Sequence, residues 1–219
     1  VHGIIVLNVY NERLLRLLAE TQIPKVFLDT SSLVSPDELN GDLLLMESRN
    51  SVRNITAHLL EKGCTLPGFM GDIGYAQSNR ERYEGFCQAL MDAGKTPNPS
   101  LCLTTPLGID SYREEIDSFL SSLSRMPDAF VCASDYVACI LMQLLEKRGL
   151  RVPEDVAVSG FDNNIEDLLA ENLTTVQVFN EELGSRLALQ ILYRIKYPHT
   201  PHEVTYLESK VLYRASTGD

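Results

Sequence analysis

Short β-rich apolar runs alternate with segments of helical periodicity over residues 3–196, and this alternation constrains the fold more than any other feature. It is typical of βαβ units, in which a crossover helix joins two parallel strands. Most of the runs are apolar throughout, which indicates strands covered on both faces. The predicted strands are residues 3–7, 25–28, 66–70, 100–103, 129–133 and 156–159. The sequence therefore predicts an α/β fold built on parallel sheets.

Two segments predict where helices begin, because they match the capping box. In this motif a serine side chain accepts a hydrogen bond from the backbone three residues on, and a glutamate reaches back. Residues 78–81 and 111–114 fit the motif, which predicts helices that start at about Asn79 and Tyr112. Apolar residues at helical spacing predict four further helices, at residues 12–19, 51–60, 135–148 and 181–195.

The overall composition excludes several classes of protein. Hydrophobic residues make up 44% and charged residues 22% of the 219 positions, as in ordinary globular proteins. No apolar stretch approaches the roughly 20 residues that a membrane-spanning helix needs, and the chain does not open with a signal-peptide pattern. The formal net charge of −11 argues against DNA binding by this chain alone, because DNA-binding surfaces neutralise phosphates with basic residues.

The cysteines bear on the cellular compartment. Their number, 5, is odd, no pair has the Cys-x-x-Cys spacing, and most of them lie in apolar runs. Buried free thiols of this kind fit a reducing cytoplasm. We therefore expect a soluble cytoplasmic protein without disulfides, bound zinc or another cofactor.

Polar residues gather where the predicted strands end. They are Asn8, Asp29, Asp72, Ser134, Asp135, Asp162 and Asn163. In open parallel sheets, ligands bind in the crevice at these carboxyl ends, because loops and helix N-termini converge there. The alternative is that such residues cap helices or form turns, as about half of them are expected to do. Asp135 is expected to be a helix cap.

Arg80 and Arg82 stand out because both fall in the first turn of a predicted helix, where a cation opposes the helix dipole. Something else must favour them, and an arginine that faces carboxylates across a crevice can donate to sugar hydroxyls, a carboxylate or a phosphate. Replacing Arg82 with alanine is then expected to leave the fold intact or slightly more stable. The alternative is an exposed arginine paired with Glu81 or Glu84.

The sequence lacks the common enzyme signatures. It contains no dinucleotide-binding or Walker loop, no Gly-x-Ser-x-Gly elbow and no His-Glu-x-x-His pair. His199 and His202 flank Pro201, but no further residue completes the spacing of a metal site. We therefore expect neither an enzyme nor a metal site.

Six blocks of sequence together resemble the LacI/GalR-type transcription regulators of bacteria. They are residues 58–63, 79–86, 128–135, 152–163, 173–176 and 214–217. The most specific block is Val-Pro-Glu-Asp-Val-Ala-Val-Ser-Gly-Phe-Asp-Asn at residues 152–163, and the resemblance runs over nearly the whole chain. The resemblance implies a periplasmic-binding-protein-like fold of type I, in which two parallel-sheet α/β lobes are joined by three crossovers and hold an effector between them.

The same resemblance implies a domain division and a set of binding residues. The first lobe would comprise residues 1–47 and 178–208 and be incomplete, and the second would comprise residues 48–177 and 209–219. A DNA-binding headpiece and the first two βα units of the first lobe would precede this chain. The resemblance assigns effector binding to Asp29, Arg82, Ser134 and Asp162, to which we add Asn8, Ser78 and Asn163 as candidates.

These features lead to a hypothesis of function. A sugar or a similarly polar metabolite is expected to close the cleft in a homodimer and thereby change the DNA affinity of the attached headpieces. No cofactor, membrane or covalent chemistry takes part. The alternative is an exported sugar-binding protein of a transporter, which would share the fold and the cleft. A signal peptide in the gene would favour that alternative, and a helix-turn-helix would exclude it.

Overall fold

Two four-stranded parallel sheets organise the chain in the computed structural model, which describes residues 1–108, 110–164 and 170–219. The first sheet has the order β1 (Ile4–Leu7), β2 (Lys25–Leu28), β3 (Asp42–Met46) and β9 (Val204–Leu207). The second has the order β5 (Cys102–Leu103), β4 (Pro67–Met70), β6 (Ala129–Cys132) and β7 (Ala157–Ser159). This architecture confirms the predicted α/β fold with parallel sheets.

A pair of short antiparallel strands lies where the two sheets are connected. These strands are β8 (Thr175–Gln177) and β10 (Lys210–Leu212). Gln177 of β8 also bridges to Asp162, and Thr174, just before β8, bridges to Ser159 at the end of β7. The chain passes from one sheet to the other after β3, after β8 and after β9. On this basis we propose the lobe boundaries of the sequence analysis.

Helices cover both faces of the first sheet. Consecutive residues of a strand point to opposite faces, so neighbouring residues pack against different helices. The six helices of the described residues are α1 (Glu12–Glu20), α2 (Arg49–Glu61), α3 (Gln77–Asp92), α4 (Tyr112–Ser122), α5 (Asp135–Lys147) and α6 (Asn180–Lys196). On β2, Phe27 packs in a cluster with Leu15 of α1, whereas its neighbour Val26 packs in another with Leu187 of α6. The central strands of the first sheet are therefore buried on both sides, whereas the edge strands β1 and β9 are partly exposed.

The second sheet is layered in the same way. On β6, Phe130 packs with Leu141 of α5, whereas its neighbour Val131 packs with Phe86 of α3. The continuous apolar runs in the sequence reflect this two-sided burial. Because helices cover the faces of the central strands, polar side chains of the two sheets can meet at the carboxyl ends of those strands.

Four strands were not predicted from the sequence. β3 reads Asp-Leu-Leu-Leu-Met, and its residues are all buried. Leucine and methionine favour helices in isolation, so only burial between two helical layers makes this segment a strand. β8, β9 and β10 are 3, 4 and 3 residues long, too short for a period-2 pattern to be distinctive. The strand predicted at residues 100–103 is shorter than expected, because Pro99–Leu101 forms a 3-10 turn.

The structure also corrects the predicted start of one helix and the predicted caps of three helices. α3 begins at Gln77, so Ser78 lies inside it and does not form a capping box. α4 does begin at Tyr112, but the hydroxyl of Ser111 donates to Glu115 and does not cap the helix backbone. The cap of α5 is Ser134, whose hydroxyl accepts a hydrogen bond from the amide of Val137, so the expectation that Asp135 is the cap is wrong.

Close packing of α2 against α3 depends on Gly85. A Cβ atom at this position would overlap the backbone carbonyl oxygen of Arg49, which cannot move without shifting α2. We expect Gly85→Ala to lower the free energy of unfolding by about 1–3 kcal/mol. Gly184→Ala in α6 is the matched control, because nothing lies within 4 Å of its Cβ position. It should stabilise the protein by up to about 1 kcal/mol, since alanine favours helix over glycine. Urea denaturation of both variants tests this, and equal effects would contradict it.

Candidate functional site

A cavity of about 320 Å³ lies between the carboxyl ends of the two sheets. Its volume is at the lower end of the range of small-molecule sites. The polar and aromatic side chains that line it are Asn8, Tyr10, Asp29, Asp72, Tyr75, Ser78, Asn79, Arg82, Tyr112, Ser134, Asp162, Asn164 and Asn180. Six of the seven residues selected from the sequence are therefore brought to one cavity. The seventh, Asn163, is not.

Arg82 is the central charged group on the side of the second sheet. It is 8% exposed, and its Nη1 donates to the carbonyl oxygen of Ala133. Its Nη2 lies 3.6 Å from Oδ1 of Asp162, and its guanidinium carbon lies 3.6 Å from the ring centroid of Phe161. Charge, hydrogen bonding and cation–π stacking therefore hold the guanidinium in one orientation at the cavity wall.

This environment corrects two expectations about Arg82. It is buried and close to Asp162, so the alternative of an exposed arginine paired with Glu81 or Glu84 is wrong; Glu84 instead pairs with Arg49. Because α3 begins at Gln77, Arg82 lies in the second turn, beyond the part of the helix where the dipole acts most strongly. The argument that removing Arg82 relieves the helix therefore does not hold.

Asp29 is the corresponding acidic group on the side of the first sheet. One of its carboxylate oxygens accepts hydrogen bonds from the amides of Thr30, at 2.8 Å, and Ser78, at 3.3 Å. The other accepts from the hydroxyls of Tyr10, at 3.1 Å, and Ser78, at 2.6 Å. Protein donors therefore occupy all four lone-pair sites of this carboxylate. Since Ser78 belongs to α3, Asp29 links the first sheet to the helices of the second.

The other predicted residues line the cavity with free or partly used polar atoms. Asn8 has a φ of 51°, which directs the chain sharply out of β1, and its side-chain oxygen accepts from Tyr10 at 3.4 Å. Ser134 is the N-cap of α5 and lines the cavity. Its oxygen accepts the capping hydrogen bond, so its O–H group can still donate to a ligand. Both are positioned to contact a molecule in the cavity.

Asp162 and Asn163 form a strained turn after β7. Their φ angles are 115° and 49°, in the region that residues other than glycine rarely adopt. Asn163 donates to Gln177 at 2.5 Å and accepts from Arg214 at 2.8 Å. Its amide group is thus committed to other parts of the protein, which explains why it does not line the cavity. Its role is to hold the turn that presents Asp162.

Asp135 stabilises this turn through hydrogen bonds to its carboxylate. Its carboxylate accepts hydrogen bonds from the backbone amide of Asn163, at 2.7 Å, and from the hydroxyl of Thr175, at 2.5 Å. Burial raises the pKa of Asp135 to about 6, and the charge of Asp162 contributes to the rise, although the two hydrogen bonds oppose it. Burial also raises the pKa of Asp162, which the guanidinium of Arg82 partly offsets.

The raised pKa of Asp135 predicts an unusual dependence of stability on pH. The folded state binds this proton more tightly than the unfolded state does, so protonation stabilises the fold as pH falls through about 6. Asp135→Asn lacks this contribution. Chemical denaturation between about pH 7.5 and 5 should therefore show wild type gaining stability relative to the variant as pH falls. Parallel stability curves would show that Asp135 does not titrate in this range.

Sequence reasoning missed the aromatic lining of the cavity. Tyr10, Tyr75 and Tyr112 all border it, and the rings of Tyr10 and Tyr75 meet edge to face with centroids 4.8 Å apart. No sequence pattern marked these tyrosines, because they lie in loops or at a helix start and come from distant parts of the chain. Asp72 does carry a signal, its place two residues after β4, but the sequence analysis does not select it as a binding residue.

Neither metal ligation nor membrane insertion has support in the described residues. No group of three histidine, cysteine or acidic side chains there is arranged to hold a metal ion. No described helix combines the length and the apolar character needed to cross a membrane.

A family model for the periplasmic binding protein-like domain matches residues 56–217 of the chain. Among curated relatives, the HTH-type transcriptional repressor PurR of Aliivibrio fischeri (strain MJ11) is 30% identical over 209 residues, which cover 94% of this chain and 61% of the relative. The HTH-type transcriptional regulator DegA of Bacillus subtilis (strain 168) is 30% identical over 170 residues, covering 77% and 48%. The chain thus spans about three fifths of the length of the PurR relatives.

Solved structures agree with this assignment. The complex of the transcriptional regulator CelR with cellobiose is 26% identical, covers 99% of this chain and 66% of its own, and superposes with a TM-score of 0.85. A LacI family regulator from Enterococcus faecium with bound ribose, 22% identical, covers 99% and 79% with a TM-score of 0.78 and shows the same fold. The chain therefore belongs to the periplasmic-binding-protein-like domain family, as an effector-binding domain of the LacI family of transcriptional regulators.

Proposed function

We propose that this domain binds a sugar or a similarly polar small metabolite in the cavity between its two sheets. The observation that carries the proposal is that both sheets contribute polar groups to the same cavity. Arg82 and Asp162 lie on one side, and Asn8 and Tyr10 lie on the other. A ligand that contacts both sides stabilises the closed arrangement relative to an open one, because only the closed arrangement offers both sets of contacts.

The coupling to transcription follows from this closure. We propose that the domain acts as a homodimer and that closure changes the relative placement of DNA-binding segments carried by the intact protein. The comparisons support this proposal, because the relatives of this chain are named as repressors and regulators with a helix-turn-helix and are longer than the chain. The CelR structure supports a sugar-like effector, since cellobiose is bound to it. The proposed function includes no covalent step. We propose that the domain acts as a sensor in the cytoplasm.

A thermal-shift screen tests the proposal. Sugars, sugar acids, amino sugars and nucleosides are added singly to the domain, and a ligand that binds only the native state raises the melting temperature Tm. We expect at least one compound to raise Tm for wild type and to lose that effect with Asp162→Asn, a variant that keeps the size of the side chain and tolerates the positive φ.

The control for this screen is Asp37→Asn, which changes an exposed aspartate outside the cavity. It should respond to the ligand as wild type does. The proposal fails if no compound raises Tm, or if Asp162→Asn responds to the ligand as strongly as the control does.

The proposal also predicts that this chain does not hold DNA by itself. Its formal net charge is −11, so approach to the phosphate backbone is electrostatically unfavourable. Fluorescence anisotropy with a labelled duplex at physiological salt should show no binding tighter than about 1 µM. Submicromolar binding would mean that part of the DNA-contacting surface lies within these residues.

A further inference from the structure

The charged groups that line the cavity do not balance. Among the described lining residues, three are carboxylates, Asp29, Asp72 and Asp162, and one is a cation, Arg82. The cavity therefore carries a formal excess of two negative charges before any ligand enters. This excess acts more strongly on a charged ligand in a partly buried cavity than at the open surface, because the effective dielectric constant is lower there.

The protein itself accounts for two of the three carboxylates. Asp29 is saturated by four hydrogen bonds from Tyr10, Thr30 and Ser78. Asp162 lies 3.6 Å from the guanidinium of Arg82. The oxygens of Asp29 are thus fully occupied, and Asp162 already has a cation beside it, although no described donor hydrogen-bonds to its oxygens.

Among the described lining carboxylates, Asp72 is the one that has neither a neighbouring cation nor a full set of hydrogen-bond donors. It is 8% exposed, and one oxygen accepts a hydrogen bond from the amide of Gly74 at 2.7 Å. Within the described part of the chain, no basic side chain lies within 4 Å of it, and its second oxygen has no hydrogen-bond donor. A ligand cation that reaches this free oxygen is attracted more strongly here than at the open surface, because the aspartate is largely buried.

Two tyrosines belong to the same part of the cavity. Tyr75 and Tyr112 line the cavity together with Asp72. Burial raises the pKa of Tyr112, and the negative charge of Asp72 adds to the rise. Asp72 also contributes, more weakly, to the raised pKa of Tyr75. Tyrosine rings attract cations through their faces, and their hydroxyls can accept a hydrogen bond from an ammonium group.

We propose that the effector carries an ammonium group, which Asp72 binds beside Tyr75 and Tyr112. This inference rests on the proposed function and narrows it to an aminated polar metabolite, such as an amino sugar. The rest of the ligand would contact Arg82, Ser134 and Asn8. Phosphorylated or carboxylated effectors are disfavoured by the same excess of negative charge.

Matched sugar triplets test the inference. Each triplet contains an amino sugar, its neutral parent and its N-acetyl derivative, in the gluco, galacto and manno series. Calorimetric titration near pH 6.5, where the amine is protonated, measures their affinities for wild type, Asp72→Asn and the control Asp37→Asn. Circular dichroism and Tm confirm that each variant is folded.

In at least one series, the amino sugar should bind wild type at least tenfold more tightly than both neutral members. The preference should fall to about onefold to twofold in Asp72→Asn and persist in Asp37→Asn. A neutral sugar that binds wild type as tightly as its amine would overturn the ammonium inference while supporting the proposed function. An amine preference that survives Asp72→Asn would overturn the assignment to Asp72. Failure of every aminated sugar to bind would overturn the ammonium inference, whereas the proposed function would be contradicted only if the thermal-shift screen also found no ligand.

Discussion

Replacing Arg82 with alanine is expected to lower the free energy of unfolding by about 2–4 kcal/mol and to weaken effector binding roughly tenfold to a hundredfold. The stability loss arises because the guanidinium is buried, donates to Ala133 and stacks on Phe161. Its removal also leaves Asp162 without its cation. The affinity loss arises because a charge-assisted donor disappears from the cavity wall.

Arg80→Ala is the matched control, since Arg80 lies on the same helix but does not line the cavity. It should change neither quantity appreciably. Urea denaturation and calorimetry measure the two effects separately. If Arg82→Ala loses stability but binds a confirmed effector unchanged, Arg82 is a structural residue and its assignment to the binding site is wrong.

Replacing Arg194 with methionine is expected to cost about 3–5 kcal/mol of stability, because it breaks a buried ion pair. The side chains of Arg194 and Asp42 are 3% and 2% exposed and join α6 to β3. Arg194 donates to Asp42 through Nε at 3.0 Å, and another of its nitrogens donates to the carbonyl of Pro201 at 2.9 Å. Arg186→Met, on the same helix but outside this pair, should cost much less.

Acid should weaken this ion pair as well. Burial alone would raise the pKa of Asp42, but hydrogen bonds from Arg194, Gln190 and the amide of Glu203 outweigh it and hold the pKa below its ordinary value. Stability from such a carboxylate is present above its unfolded pKa and is lost as pH falls through the folded one. The difference between wild type and Arg194→Met should therefore shrink in acid. A double variant with Asp42→Asn should recover part of the loss, and no recovery would contradict a pairwise interaction.

Much of the layering was predictable from the sequence, because two-sided burial leaves a direct record in apolar runs. The strands around Phe27, Phe69 and Val131 were identified for this reason. β3 was not, because a run of leucines has the composition of a helix and becomes a strand only by pairing with β2 and β9. The short strands after residue 174 depend on such distant pairing too.

The candidate site was predictable to the extent that strand ends converge. That rule selects Asn8, Asp29, Ser134 and Asp162, and all four line one cavity in the structure. It could not show how each polar group is used. Asn163 sits beside Asp162 in sequence, yet its side chain binds Arg214, which is 51 residues away. The tyrosines of the cavity likewise come together only in the folded chain.

The most direct test of the central claim is to locate the bound effector by NMR of methyl-labelled methionines. Met46 lines the cavity at the end of β3, whereas Met91 is 54% exposed on α3 and lies outside it. Met46→Leu assigns the resonance. On titration with the compound that raises Tm most, the Met46 methyl signal should shift or broaden in proportion to occupancy, while that of Met91 stays in place. Binding that leaves Met46 unchanged would contradict an effector site between the two sheets.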